Sequence, residues 1–253
     1  KSVAVAYEGQ ELKSRSLYHW QVEAVTEKQK EEAVWTGKGT FETSILKDEE
    51  WQAKWIRPQE ETTGEAPLIR KSFVISHLPE KARLYVSGLG YCETTVNGKK
   101  VDDGYLDPGW TDYRKTVLYR TFDVGEYLQE GENVIAFELG EGWHGLDHTF
   151  FWSMFGHLPG WNSRPKLLAE LWLDDECICT RPEDGWRTAK GPVTANNLYD
   201  GERYDAGREK PGFNCPGYKE TENDWKDAVA AQAPGGRMVC QMMPSIGERY
   251  RLS

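Results

Sequence analysis

The stretch from Ala82 to Trp143 leaves this chain little choice but antiparallel sheet. Ala82, Leu84 and Val86 alternate with Arg83, Tyr85 and Ser87, the period of a strand with one face buried. Tyr91 to Val96 forms a second run, closed by Asn97-Gly98 and answered by Lys99-Lys100-Val101. Asn and Gly tolerate positive φ at both central positions of a two-residue turn, so the dipeptide predicts a tight type I′ hairpin. Tyr105 to Tyr113 is too rich in turn formers to be regular, and a strand resumes over Thr116 to Phe122. Asp123 and Glu126 have the spacing of a capping box opening one helical turn through Leu128. Gly131-Glu132-Asn133 turns the chain back into Val134 to Leu139, apolar enough to be covered on both faces. Gly140, Gly142 and Gly145 then free a loop that carries Trp143.

What the whole chain excludes is also informative. A formal net charge of -10 with a pI near 5.1 argues against nucleic acid, because phosphate binding needs a basic face. Mean hydropathy is -0.70, and no apolar run is long enough for a spanning helix, so no membrane partner is expected. Cys92, Cys177, Cys179, Cys215 and Cys240 form an odd set without CxxC or His-paired zinc spacing. Free thiols fit a reducing compartment. Lys1 to Tyr7 is too quickly polar for a signal peptide, so a cytoplasmic rather than a secreted location is expected. GxSxG, HExxH and the phosphate-loop motif are absent. His144 and His148 are four apart, but Gly142 and Gly145 oppose a helix there.

Five phrases, in order, resemble one family: Ser87-Gly88-Leu89-Gly90-Tyr91, Val96-Asn97-Gly98-Lys99-Lys100-Val101, Leu106-Asp107-Pro108-Gly109-Trp110-Thr111-Asp112-Tyr113, Leu118 to Val124, and Leu139-Gly140-Glu141-Gly142-Trp143. Asp184-Gly185-Trp186-Arg187 and Asn196 to Ala206 continue the likeness, with Gly207 intervening before Arg208 as a departure. They resemble the N-terminal β-sandwich domain of bacterial α-L-rhamnosidases of glycoside hydrolase family 78.

The resemblance implies an all-β chain. Residues 1–47 are expected to be the C-terminal part of a fibronectin type III-like domain, with strands at Val3–Tyr7, Leu17–Val25 and Gly39–Ile45. Leu12 followed by Tyr18 resembles a tyrosine corner, whose hydroxyl bonds back to nearby backbone. Such a sandwich takes about seven strands, so the chain is expected to begin mid-domain. Residues 48–240 are expected to form a jelly-roll, galactose-binding-like sandwich, with a strand at Leu68–Ser76 and a hairpin over Lys166–Thr180. Residues 241–253 would lead into a catalytic domain, with a closing strand near Met242 to Ile246. The aromatic run Phe150 to Phe155 is read as a sugar platform, a docking face or a loop folded over the core edge.

An inverting glycosidase sets two carboxyls roughly 6.5–9.5 Å apart, one with a raised pKa. By type Asp107, Asp112, Glu141, Asp200, Glu202 and Asp205 qualify. The resemblance, however, implies that the catalytic carboxylates sit in an (α/α) barrel that follows this region, and no long helical array is written here. No catalytic residue is expected; hydrolysis would belong to the parent rhamnosidase. For sugar binding, Trp110 and Trp143 are candidate stacking rings beside loop glycines, with Glu141 and His144 as polar neighbours. No cofactor is required, yet relatives that hold rhamnose through calcium make Asp102, Asp107, Asp112, Asn197 and Asp200 candidate ligands. The expected partners are a rhamnose-containing carbohydrate and the parent's catalytic domain. A purely structural scaffold and a stand-alone calcium-dependent sugar-binding module stay open. Trp110, Trp143 and Trp152 lining one concavity would favour a ligand; their burial would favour the scaffold.

Overall fold

The computed structural model describes residues 7–24, 35–60, 64–146, 161 and 163–248. The strand expected at Val3–Tyr7, all but its last residue, lies outside the described residues, as do His148, Trp152 and the aromatic run Phe150–Phe155. The chain divides into two compact units, Lys1–Trp51 and Gln52–Ser253.

In the first unit β1 (Leu17–Ala24) pairs antiparallel with β2 (Trp35–Glu42), Leu17 opposite Glu42 and Ala24 opposite Trp35. Tyr18 stacks on its cross-strand partner Phe41 at 5.3 Å, and its hydroxyl accepts the Lys13 N–H at 2.7 Å, the back-bond that the tyrosine corner predicts. The second strand starts earlier than Gly39. Gly37 and Gly39 sit inside it because the rings of Trp35 and Trp20 lie across them, where a Cβ would stand 2.3 Å and 2.9 Å from ring atoms. It stops at Glu42, where the Thr43 hydroxyl turns back to the carbonyl of Lys13.

The second unit is strand and turn throughout its described length. Its strands are β3 (Ile56–Arg57), β4 (Pro67–Ile75), β5 (Ala82–Leu89), β6 (Tyr91–Val96), β7 (Lys99–Lys100), β8 (Thr116–Asp123) and β9 (Gly131–Gly140). There follow β10 (Lys166–Leu173), β11 (Glu176–Cys179), β12 (Arg187–Lys190), β13 (Val193–Asn197), β14 (Gly201–Tyr204), β15 (Lys226–Asp227), β16 (Val229–Ala230) and β17 (Arg237–Cys240). One sheet runs β16-β3-β10-β5-β8-β17 with β11 beside β10, the other β15-β12-β4-β9-β6-β7; β13 and β14 form a ribbon of their own. Among the described residues every strand pairing of these sheets is antiparallel except β8 with β17, which is parallel.

The sheets meet face to face. Leu84 and Val86 of β5 and Leu167, Ala169 and Leu171 of β10 share one buried cluster with Ile69 and Phe73 of β4 and Ile135, Phe137 and Leu139 of β9. That is the sandwich the alternation predicts. Asn97 (φ 49°) and Gly98 (φ 83°) adopt the expected turn between β6 and β7.

Three local expectations need correction. In β5 Tyr85 and Ser87 are buried rather than solvated, because Tyr85 packs edge-on against Tyr119 at 6.4 Å and the Ser87 hydroxyl donates to the Leu118 carbonyl at 2.8 Å. The capping box at Asp123 and Glu126 does not form: a single 3₁₀ turn spans Gly125–Tyr127 with Val124 at its N-cap, and the Asp123 carboxylate accepts the Gly125 N–H. With Val124 rather than Asp123 at the N-cap, Glu126 stands at N2 and out of register for the reciprocal contact. The closing strand is β17; beyond it Met242 to Ile246 adds a lone bridge from Ile246 to Tyr105.

Candidate functional site

A groove of about 530 Å³ opens along β6, β9 and the β13–β14 ribbon. Cross-strand partners share a sheet face, and the register sets Tyr91 opposite Gly140 and Glu93 opposite Glu138. Tyr105 and Leu106, both half-exposed, form one wall; Val193, Asn196, Asn197, Glu202 and Tyr204 form the other. Asn196 fastens that wall to the sandwich: its side chain donates to the Gly64 carbonyl at 2.6 Å and accepts the Glu141 N–H at 2.7 Å. Asn197 shapes the ribbon's tip by accepting the N–H groups of Tyr199 (2.9 Å) and Asp200 (3.3 Å), and Gly201 follows with φ 82°. Glu93 is paired with Lys100 at 2.6 Å. Burial, then the charges of Glu93 and Glu202, raise the Glu138 carboxyl above the usual carboxylate range.

Next in sequence to the groove residues Gly142 and Leu198, Trp143 and Tyr199 meet edge-on at 5.9 Å, and Trp110 stacks on Trp143 at 5.0 Å, inclined by 28°; none of the three rings is among the residues that line the groove. Trp110 is 54 % exposed and Trp143 partly buried. The two predicted stacking rings are thus brought together, on each other, as one aromatic corner. Gly90 lets the chain cross closely beneath them: a Cβ there would stand 2.0 Å from the Glu141 carbonyl oxygen.

Glu141 and His144 do not line the groove. Glu141 is 1 % exposed, its carboxylate accepting the Gly64 N–H at 2.9 Å and facing Arg164 at 3.3 Å. His144 is fully buried, edge-on to Tyr113 at 5.1 Å. Burial, followed by the Lys166 charge, pushes its imidazole down to about 3. Both hold the Trp143 loop from inside.

The five candidate calcium ligands fall in three places. Asp102 and Asp107 both face Arg120, the former at 2.7 Å, and Asp107 also accepts from Gln241 at 2.8 Å. Asp112 forks onto Arg114, Nε and Nη2 each at 2.9 Å, which lowers its carboxyl. Asn197 and Asp200 share the ribbon tip. Of the other carboxylates, Asp205 caps a 3₁₀ turn through the Gly207 N–H at 2.9 Å, and Glu202 lines the groove. Among the described residues no group of three or more His, Cys, Asp and Glu side chains is placed to hold a metal ion. The groove residues that sequence reasoning missed are Tyr91, Glu93, Tyr105, Glu138, Asn196 and Tyr204. For Tyr91 and Glu93 the signal lies in β6, where they alternate with Thr94 and Val96.

Comparison with known proteins places this geometry. The family model of the α-L-rhamnosidase N-terminal domain matches residues 77–249, and that of the Rha78A-like N-terminal immunoglobulin domain matches residues 1–47. Fibronectin type III and immunoglobulin domains share the sandwich architecture. An α-L-rhamnosidase of Formosa agariphila is 30% identical over 244 residues, covering 91% of this chain and 26% of its own length. The structure of the α-L-rhamnosidase from Dictyoglumus thermophilum superposes with a TM-score of 0.83 at 33% identity, over 95% of this chain and 28% of that one. That of Streptomyces avermitilis α-L-rhamnosidase complexed with L-rhamnose gives 0.60 at 34% identity, over 69% and 17%. The chain spans about a quarter of the length of the curated relatives it matches. With more than half of its residues under one family model, the chain belongs to the family of α-L-rhamnosidase N-terminal domains.

Proposed function

We propose that this chain is the accessory, carbohydrate-facing part of an α-L-rhamnosidase, non-catalytic itself, and that the whole protein releases terminal L-rhamnose from glycosides. The observation that carries the reading is a groove lined by Tyr91, Tyr105, Tyr204 and two asparagines, whose lining residues Gly142 and Leu198 lead directly into Trp143 and Tyr199 of the Trp110–Trp143–Tyr199 cluster. Aromatic faces beside fixed amides suit the alternating C–H faces and hydroxyls of a sugar. The candidate carboxylates are otherwise engaged at Asp107 by Arg120, at Asp112 by Arg114 and at Glu141 by Arg164. Calcium has no part in this reading, because Arg120 supplies the positive charge between Asp102 and Asp107.

A scaffold reading draws on Glu141 and His144, which are buried under the aromatic corner and serve to fix its loop. Titration of the 253-residue chain with a linear L-rhamnose trisaccharide, followed by tryptophan fluorescence, separates the two. Quenching that saturates and is lost in Trp110→Ala supports the carbohydrate reading; a flat titration with folded chain favours the scaffold. Release of rhamnose from a nitrophenyl rhamnoside by this chain alone would contradict the non-catalytic assignment.

A further inference from the structure

We propose that the groove along β6, β9 and the β13–β14 ribbon selects an uncharged oligosaccharide and turns away chains that carry uronate or sulfate groups. The inference rests on the carbohydrate reading above and goes further in naming the class of sugar. Glu93, Glu138 and Glu202 all line the groove, whereas no Lys, Arg or His is among the described residues that line it. Lys100, on the adjacent β7, pairs with Glu93 at 2.6 Å, so negative charge stays in surplus. The chain as a whole adds a net charge of -10 to the same field.

Glu93 and Glu138 stand directly opposite one another across the β6–β9 ladder. Like charges in that position oppose the sheet they sit in, and nothing in the packing of the sandwich requires them: the inward neighbours Thr94, Val96, Phe137 and Leu139 are buried without their help. Recognition accounts for the placement. A carboxylate accepts two vicinal hydroxyls in charge-assisted bonds, and Glu138, partly buried in the groove lining, is placed to do so. The half-exposed faces of Tyr105 and Tyr204 cover the apolar side of a sugar ring. An anionic sugar entering the same space meets two or three like charges, a repulsive element that gives selectivity by exclusion.

The test is a pair of titrations of the 253-residue chain by NMR, with a linear L-rhamnose trisaccharide and with an alternating rhamnose–galacturonate tetrasaccharide, each at low and high salt. The neutral sugar is expected to bind and the uronate-bearing one to bind at least roughly tenfold more weakly, the gap narrowing as salt screens the carboxylates. A Glu138→Gln, Glu202→Gln double variant is expected to gain affinity for the uronate chain by roughly tenfold. Glu202→Gln alone, at an exposed position, gives a gain of a few-fold and stands in if the double variant fails to fold. Equal affinity of the wild-type chain for both sugars, or no gain in folded variants, overturns the charge selection while leaving the groove as a sugar site. Binding of neither sugar by the wild-type chain overturns the carbohydrate reading and this inference together.

Discussion

The Asn97 side-chain amide donates to the Asn133 side-chain oxygen Oδ1 at 2.8 Å, tying the β6–β7 turn to the start of β9. Asn97 also donates to the Tyr127 carbonyl at 2.9 Å and accepts the Val134 N–H at 2.8 Å. Asn133, with no exposed surface, donates to the carbonyls of Gln129 (2.7 Å) and Gly131 (3.0 Å) and accepts the Gln129 N–H at 3.0 Å. Turn geometry accounts for the positive φ at Asn97 but not for its side-chain bonds: with the buried Asn133 it forms a polar network serving two segments, and deleting a member strands its partners. Asn133→Ala should lower unfolding free energy by about 2–4 kcal/mol. Asn97→Gly, which keeps the positive φ, should cost about 1–2 kcal/mol. Urea unfolding checks both; a loss below about 1 kcal/mol at Asn133 would mean that the network is not what holds these turns.

Arg120 lies between Asp102 and Asp107, with Ser245 also accepting from its guanidinium. The group is partly solvated, so Arg120→Ala should destabilise by about 2–3 kcal/mol, below the figure for a fully buried pair. Arg120→Lys should restore little of this, since an ammonium cannot fork between two carboxylates. The same geometry predicts how calcium behaves. Millimolar calcium should shift the thermal midpoint of the wild-type chain by less than about 1 °C against a chelator control, yet raise that of Arg120→Ala, whose carboxylates have lost their cation. A marked calcium shift in the wild type would return the metal reading to consideration.

The fold was legible where periodicity and turn chemistry act locally. The alternation in β5, the apolar run of β9 and the Asn97-Gly98 turn each specify a strand or hairpin from a handful of neighbouring residues. What covers a strand's second face is set by distant segments, which is why the burial of Tyr85 by Tyr119 and of Ser87 under Leu118 was not. The candidate site divides in the same way. Loop glycines marked Trp110 and Trp143, but their mutual stacking depends on two loops meeting. Asp102 and Asp107 attracted attention as oxygen donors, and only the β8 residue Arg120, reached by folding, explains them. Glu138 hides in a run that reads as core, and its facing of Glu93 is a property of register.

Cys92 alternates with Tyr91 and Glu93 in β6, and its side chain packs inward against the core cluster. Burial pushes its thiol up to about 12, against a small opposing effect of Thr94 and with help from the charges of Glu93 and Asp102. Alkylation proceeds through the thiolate, and at pH 8 a thiol of that kind is ionised in roughly one molecule in ten thousand. Iodoacetamide should therefore leave Cys92 unmodified in the native chain over a period that modifies it fully in urea, as read by peptide mass spectrometry. Rapid native labelling would show that the core side of β6 is open to solvent.

His144 should make the chain lose stability as the solution is acidified. Its imidazole is fully buried against Tyr113, and its folded-state pKa is about 3 where the ordinary value is 6.5, owing first to burial and then to the Lys166 charge. Above 6.5 neither state binds the proton, and the neutral ring's contribution is present in full. Between 6.5 and about 3 the unfolded chain is protonated at this residue and the native chain is not, so unfolding takes up a proton and is favoured as pH falls. The slope is about 1.4 kcal/mol per pH unit, amounting to about 4–5 kcal/mol at the acid end of the window. Carboxylates contribute their own acid sensitivity, so the informative comparison is with His144→Phe, which keeps an aromatic ring against Tyr113 and removes the titration. Unfolding free energies measured in urea from pH 7 to pH 4 should fall more steeply for the wild type, by roughly that slope, even if the variant is less stable at neutral pH. Parallel curves would show that His144 takes up its proton in the native state, and the burial of this histidine beneath the aromatic corner would have to be abandoned.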